Sequence, residues 1–275
     1  MNLPAKTLVV VRGGGDLATG VVWRLRACGF PVIVLELPGP LTVRRSVALS
    51  TAVHQGRVEI EGQTDAQLVG VRVSSFDEAC ALAGGGDVVP VLISPSLPAP
   101  GEFSVIVDAR LAKSALDCRI DDAAFVVGLG PGYVVGEHCH AAVETQRGPR
   151  LGRVLWNGTP EPNTGTPGTV GGRSTERVLR SPVDGEVRWD TDIGDLVKRG
   201  KTLGSVVGVR QRVPVLAPFD GLIRGLIIEG ANVRVGLKIG DVDPRVDVNP
   251  HEISDKALAI GGGVVEAVFR WLRSA

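Results

Sequence analysis

The stretch from Thr7 to Glu36, TLVVVRGGGDLATGVVWRLRACGFPVIVLE, constrains the fold of this chain more than any other. A β-branched run, Leu8 to Val11, leads straight into a glycine cluster. A segment with helical spacing follows, and a second apolar run, Val32 to Leu35, ends in an acid. That order is a β-turn-α-β unit with glycines where a phosphate would press on the backbone. Gly13, Gly15 and Ala18 fit G-x-G-x-x-A: a tight turn, access to main-chain N–H groups, and close helix–strand packing. The backbone N–H groups of Gly13, Gly14, Gly15 and Asp16 are the expected phosphate donors at a helix N-terminus. Glu36 stands where a ribose-binding carboxylate closes the second strand, about 20 residues on. Steric punctuation of a doubly wound sheet would use the same glycines, and both roles stay open at this point.

Composition narrows the classes. With 37 Gly and 18 Pro among 275 residues and only 4% aromatics, the balance favours short strands and tight loops over long helices. A formal net charge of zero removes any bulk electrostatic case for nucleic acid or a membrane surface. The opening apolar run is too short for a signal segment and meets Arg12, and no run approaches membrane-spanning length. Cys28, Cys80, Cys118 and Cys139 are scattered without a C-x-x-C pair, as expected of reduced thiols in a cytoplasmic protein.

Residues 1–175 read as a Rossmann-like α/β domain with glycine-rich loops. Helical spacing is expected after Arg44 and in FDEACALAGG, strands in DVVPVLIS, SVIVDARLAK and AFVVGL, and a hairpin of Ala141–Thr145 with Leu151–Trp156. The run NGTPEPNTGTPGTVGG, which contains Asn163, is either a flexible linker or an ordered binding loop. In the closing segment, 246–275, Gly261–Gly263 are expected to break the chain into two helices that pack back on the α/β domain. A glycine triplet before a helix is either an anion site or a hinge.

Residues 176–245 contain an internal repeat. SPVDGEVRWDTDIGDLVKRGKTL aligns with APFDGLIRGLIIEGANVRVGLKI at a constant offset of 36 residues, pairing Pro182 with Pro218, Gly185 with Gly221 and Leu203 with Ile239. Neither half can bury its apolar face alone, so the two should interlock. The repeat resembles the biotinyl/lipoyl-type flattened barrel, a barrel-sandwich hybrid. The position of the acceptor lysine in that family falls on Arg210 here. A guanidinium cannot be acylated, so no biotin or lipoate is expected and the module should serve for structure or docking.

Other constellations carry less. Arg44 and Arg45 are either a solvated charged turn or a bidentate phosphate grip. Gly128, Gly130 and Gly132 in GLGPGY follow a buried strand and could form an anion nest. Asp108, Arg110 and Lys113 after a strand read as a salt-linked edge. His138, Cys139 and His140 are neighbours in an extended stretch and point to opposite faces, so no metal is expected there.

The motifs VRGGGDLATG, LTVRRSVALSTAV, VDARLAK, GLGPGY, VETQRG, PNTGTPG, GLKIGDVDPR and ISDKALAIGGGVVEA together resemble YqeB-type proteins of the selenium-dependent molybdenum hydroxylase system, partly related to the XdhC accessory factors. Where that family carries a cysteine-containing C-T-I-S-D-K-A stretch, this chain has His251-Glu252-Ile253-Ser254-Asp255-Lys256-Ala257. The resemblance implies an accessory or maturation factor for xanthine dehydrogenase-like molybdenum hydroxylases. It would hold a molybdopterin-type cofactor or a nucleotide, and its partners would be the apo-hydroxylase, other maturation proteins or a second copy of itself. An NAD-dependent oxidoreductase and a non-catalytic scaffold are the alternatives from the residues themselves.

Overall fold

β-Branched runs make the central strands, and glycine-rich segments make their connections. In the computed structural model, residues 4–61, 67–99, 101–111, 117–165 and 168–274 are described. The chain divides into two compact units: residues 1–40, 48–163 and 253–275 form the first, and residues 41–47 and 164–252 the second.

The first unit carries strands β1 (Val9–Arg12), β2 (Val32–Glu36), β3 (Arg57–Ile60), β4 (Leu68–Val73), β5 (Val89–Ile93), β6 (Val105–Asp108), β7 (Phe125–Leu129), β8 (Ala141–Val143) and β9 (Val154–Leu155). They form one sheet in the order β3-β4-β5-β2-β1-β6-β7-β8-β9. Strands β4 to β8 in that row run parallel. The two edge pairings, β3 with β4 and β8 with β9, are antiparallel. β1 is flanked by β2 on one side and β6 on the other, so the strand order reverses at β1. Its residues Val9, Val10 and Val11 are fully buried, as both-face burial in a parallel sheet requires.

Among the described residues, four α-helices accompany this sheet: α1 (Asp16–Ala27), α2 (Thr51–Gln55), α3 (Phe76–Gly85) and α4 (Asp255–Ser274). Ser75 caps α3, its hydroxyl accepting from Glu78 N at 3.2 Å. α4 is one continuous helix of 20 residues running through Gly261–Gly263, so the expected break, and with it an anion site at a second helix start, does not form. The reason is close packing. A Cβ on Gly20 of α1 would lie 2.5 Å from the Ala257 carbonyl of α4, and one on Gly261 would strike the Gly20 carbonyl. Phe125 stacks on Trp271 of the same helix with ring centroids 5.3 Å apart. Among the described residues, no helix is long and apolar enough to cross a membrane.

The second unit contains β10 (Val178–Arg180), β11 (Gly185–Trp189), β12 (Leu196–Val197), β13 (Thr202–Val207), β14 (Arg212–Leu216), β15 (Gly221–Leu226), β16 (Asn232–Val233) and β17 (Lys238–Asp243). They form two antiparallel sheets, β10-β17-β15-β12 and β14-β13-β11-β16. The sequence repeat organises them, since each sheet takes two strands from each half. Residues paired by the offset share a fate: Val187 with Ile223 and Leu203 with Ile239 are fully buried in one common cluster.

The expected fold, a Rossmann-like α/β part plus a biotinyl/lipoyl-like flattened barrel, is therefore corrected. The α/β part is a nine-stranded mixed sheet with antiparallel edges, and among the described residues the crossovers β5 to β6, β6 to β7 and β7 to β8 carry no α-helix. The all-β part is two open four-stranded sheets and not a closed barrel. A repeat dictates which strands are equivalent, but it leaves the closure of the edges undetermined.

Candidate functional site

Open α/β sheets bind ligands beyond the carboxyl ends of their parallel strands, where the strand order reverses. In the first unit that place is the end of β1, between β2 and β6. Three features meet there: the glycine loop, the N-terminus of α1, and a group of charged side chains.

The glycine loop is tied by its own backbone. Gly13 N donates to Leu35 O at 2.8 Å, and Ser50 N donates to Gly14 O at 2.8 Å. Gly13 has φ +94°, and a Cβ there would meet the Ala109 carbonyl and the Arg110 Cα at 3.4 Å. A Cβ on Gly14 would lie 2.8 Å from Ser50 N. Gly15 differs, because nothing lies within 4 Å of the position of its Cβ. It is the N-cap of α1 with extended backbone and, as a glycine, brings no side chain to cap the helix. Of the three loop glycines, Gly15 at the helix N-terminus is thus the one whose Cβ position is clear. Asp16 opens the first turn of α1, and Ala18 is buried.

Glu36 ends β2 as expected, yet both its oxygens serve the backbone. Oε1 accepts from Gly14 N at 2.7 Å and Oε2 from Leu37 N at 2.8 Å. It shapes the glycine loop. Lys256, in the first turn of α4, is half-buried and within electrostatic reach of Arg147, Asp16, Glu144 and Asp255. Burial, with Arg147, holds its ammonium below the usual lysine range against the pull of the three carboxylates. Residue spacing gave no sign of this lysine, because 240 residues separate it from Asp16.

A charged network closes the ends of β1 and β6, where Arg12 and Asp108 are register partners. Asp108 is fully buried and Arg12 is 4% exposed. Asp108 Oδ1 accepts from Arg110 N at 3.2 Å and Arg110 Nε at 2.9 Å, and its Oδ2 is paired with Arg110 Nη2. Asp117 accepts from both arginines. The sequence suggested a salt-linked edge here but missed Arg12 and Asp117; Lys113 lies outside the described residues.

The remaining expected site residues are placed elsewhere or differently engaged. Gly128 lies inside β7, where a Cβ would enter the Tyr133 ring. Gly130, at φ +81°, donates its N–H to Val143 O at 3.0 Å, and Gly132 has φ +99°. With the Gly130 N–H engaged and Gly128 in a strand, the expected anion nest of consecutive glycine donors does not form. Asn163 is exposed and ends the 48–163 segment of the first unit.

Arg44 and Arg45 belong to the second unit. Arg44 is buried, and its Nη2 donates to Pro250 O at 3.3 Å and Glu252 O at 3.0 Å. Arg45 pairs with Asp192 beside a cavity of about 520 Å³ lined also by Trp189, Asp190, Asp195 and Glu229. Carboxylates in that number repel a phosphate, so the expected phosphate grip by this arginine pair is corrected to a structural clasp.

His138 and His140 fasten backbone: their Nδ1 atoms accept from Val134 N at 3.1 Å and Val126 N at 3.0 Å. Cys118 and Cys139 are buried, and burial pushes their thiols up to about 12 and about 11. Neither is poised as a thiolate nucleophile. Iodoacetamide is therefore expected to label the folded chain at Cys28 and Cys80 alone. Peptide mapping checks this, and rapid native labelling of Cys118 would contradict it.

No family model matches the chain. Over 264 residues, 95% of this chain, it is 43% identical to the uncharacterized protein YqeB of Escherichia coli (strain K12), so it is YqeB-like over nearly its whole length. It spans 47% of the length of that relative. Among solved structures it is similar to an aspartoacylase family protein from Mesorhizobium loti, with a TM-score of 0.29, 12% identity, and coverage of 86% of this chain and 84% of that one. A succinylglutamate desuccinylase from Silicibacter sp. TM1040 gives a TM-score of 0.26 at 12% identity, with the same coverage. The named structural neighbours are thus acylase-type proteins.

Proposed function

We propose that this YqeB-like chain is an accessory factor for molybdenum hydroxylases of the xanthine dehydrogenase-like or selenium-dependent type. In this reading the first unit holds the phosphate of a pterin-type cofactor or nucleotide at the N-terminus of α1. The observation that carries it is the turn at Gly15, a helix N-terminus whose N-cap residue brings no capping side chain and has no atom within 4 Å of its Cβ position, where the helix dipole favours an anion. The residues fit such a group: Gly15 leaves room beside the start of the helix, and Lys256, within electrostatic reach of Asp16 in its first turn, supplies a cation. Asp16 beside them favours a ligand that approaches along the backbone rather than across the carboxylate.

Glu36, engaged on both oxygens, supports a phosphate-anchored pterin or mononucleotide over an NAD held by its ribose. The accessory role is supported by the resemblance to the YqeB type. The apo-hydroxylase or its maturation proteins are the partners that follow from it.

Calorimetric titration of the full chain with a pterin phosphate, GMP and NAD tests the reading. Gly15→Asp puts a carboxylate where the phosphate belongs, and Lys256→Gln removes the cation. Each is expected to weaken the preferred ligand at least about tenfold, or roughly 1.4 kcal/mol. Gly15→Ala, whose methyl has open space, serves as the fold control. Unchanged affinity in Gly15→Asp removes the α1 turn as the site.

A further inference from the structure

The network at the ends of β1 and β6 has an uneven arrangement of charge. Arg12 is buried to a side-chain exposure of 5%, yet the carboxylate in its fork belongs to a residue whose side chain is 62% exposed. Asp117 Oδ1 accepts from Arg12 Nη1 at 3.3 Å and Oδ2 from Arg12 Nη2 at 3.1 Å, while Arg110 Nη2 donates to Oδ1 at 2.6 Å. This is the bidentate geometry by which arginine recognises a carboxylate. The carboxylate enters from the solvent side, at the strand reversal where open sheets take their ligands.

Charge decides the class of ligand. Arg12 and Arg110 face the fully buried Asp108 and the exposed Asp117, a neutral set of four. With Asp117 turned out to water, one net positive charge remains. A single carboxylate restores neutrality, whereas a phosphate dianion would place excess negative charge against buried Asp108. Both arginines hold Asp117 ionised, with its carboxyl near 2, so ordinary acidification does not vacate the fork.

We propose that Asp117 stands in for the carboxylate of a ligand, and that Arg12 and Arg110 form a recognition site for a small carboxylate-bearing molecule that displaces it. A tethered side chain competes at an effective concentration of millimolar order, so removing it unmasks the site. The inference does not rest on the phosphate reading of the Gly15 turn, although Gly13 packs against Arg110 and places the two sites side by side.

The test is thermal melting of the full chain in sodium acetate against sodium chloride at equal ionic strength, for the wild type, Asp117→Ala and Asp117→Asn. Acetate is expected to stabilise both variants over chloride. The wild type should need at least about tenfold more acetate for the same shift. The size-conserving Asn variant keeps the test valid if the alanine variant folds poorly. Equal responses in wild type and variants would overturn the inference, as would phosphate stabilising the variants more than acetate. The acetate response should survive Gly15→Asp in the Asp117→Ala background, so the two readings fail separately.

Discussion

Replacing Asp108 with alanine is expected to destabilise the protein by about 3–5 kcal/mol, the cost of removing one partner from a buried ion pair. Asp108 is fully buried, and its carboxylate accepts the Arg110 backbone N–H and guanidinium beside the Arg12 guanidinium 3.8 Å away. Removal leaves Arg12, itself nearly inaccessible, with positive charge facing the end of the sheet. Arg110 can turn partly to water, which sets the lower bound. Against a typical total of about 5–15 kcal/mol the loss is large. Urea unfolding of wild type and variant checks it. A change under about 1 kcal/mol, the scale of an exposed pair, would show that Asp108 is not the anchor of this network.

Gly20→Val should also destabilise the protein, and for a reason unrelated to charge. The Cβ alone would sit 2.5 Å from the Ala257 carbonyl carbon and oxygen, so α1 and α4 must separate. Overpacking of this kind costs roughly 1–3 kcal/mol, and occasionally more, when the obstructing atoms are backbone. Helix propensity returns under about 1 kcal/mol for replacing glycine, so strain wins. Gly262 supplies the contrast. It lies in the glycine triplet of α4, the helix that Gly20 packs against, but nothing approaches its Cβ position within 4 Å. Gly262→Ala should therefore stabilise by about 0.5–1 kcal/mol. Opposite signs of melting shift for the two substitutions are the expected result, and equal signs would contradict the packing account.

The contrast also shows what could be read from the sequence. Periodicity and glycine position revealed the β1–α1–β2 unit, because each signal lies within thirty or so residues and depends on local backbone needs. The 36-residue offset revealed which strands of the second unit are equivalent, since Val187 and Ile223 bury alike. Edge closure was not legible, because pairing β10 with β17 and β14 with β13 depends on three-dimensional partners that a repeat does not name. Gly261–Gly263 looked like a helix break, because propensity penalises glycine, and only the contact with Gly20 explains its place in mid-helix. Arg44 looked like a phosphate ligand for a similar reason, since the carbonyls that hold it belong to Pro250 and Glu252, some 200 residues away. The site followed the same rule. Its glycine turn was legible, but Arg12–Asp117 and Lys256 are long-range associations.

Native mass spectrometry of the freshly purified full chain, wild type beside Gly15→Asp, decides whether a phosphorylated ligand sits at the N-terminus of α1. The wild type is expected to carry, on part of the population, the added mass of a phosphorylated pterin or a nucleotide, and Gly15→Asp is expected to show the bare mass. The same adduct on both chains, or the bare mass for both, would contradict the placing of a phosphorylated ligand at the N-terminus of α1.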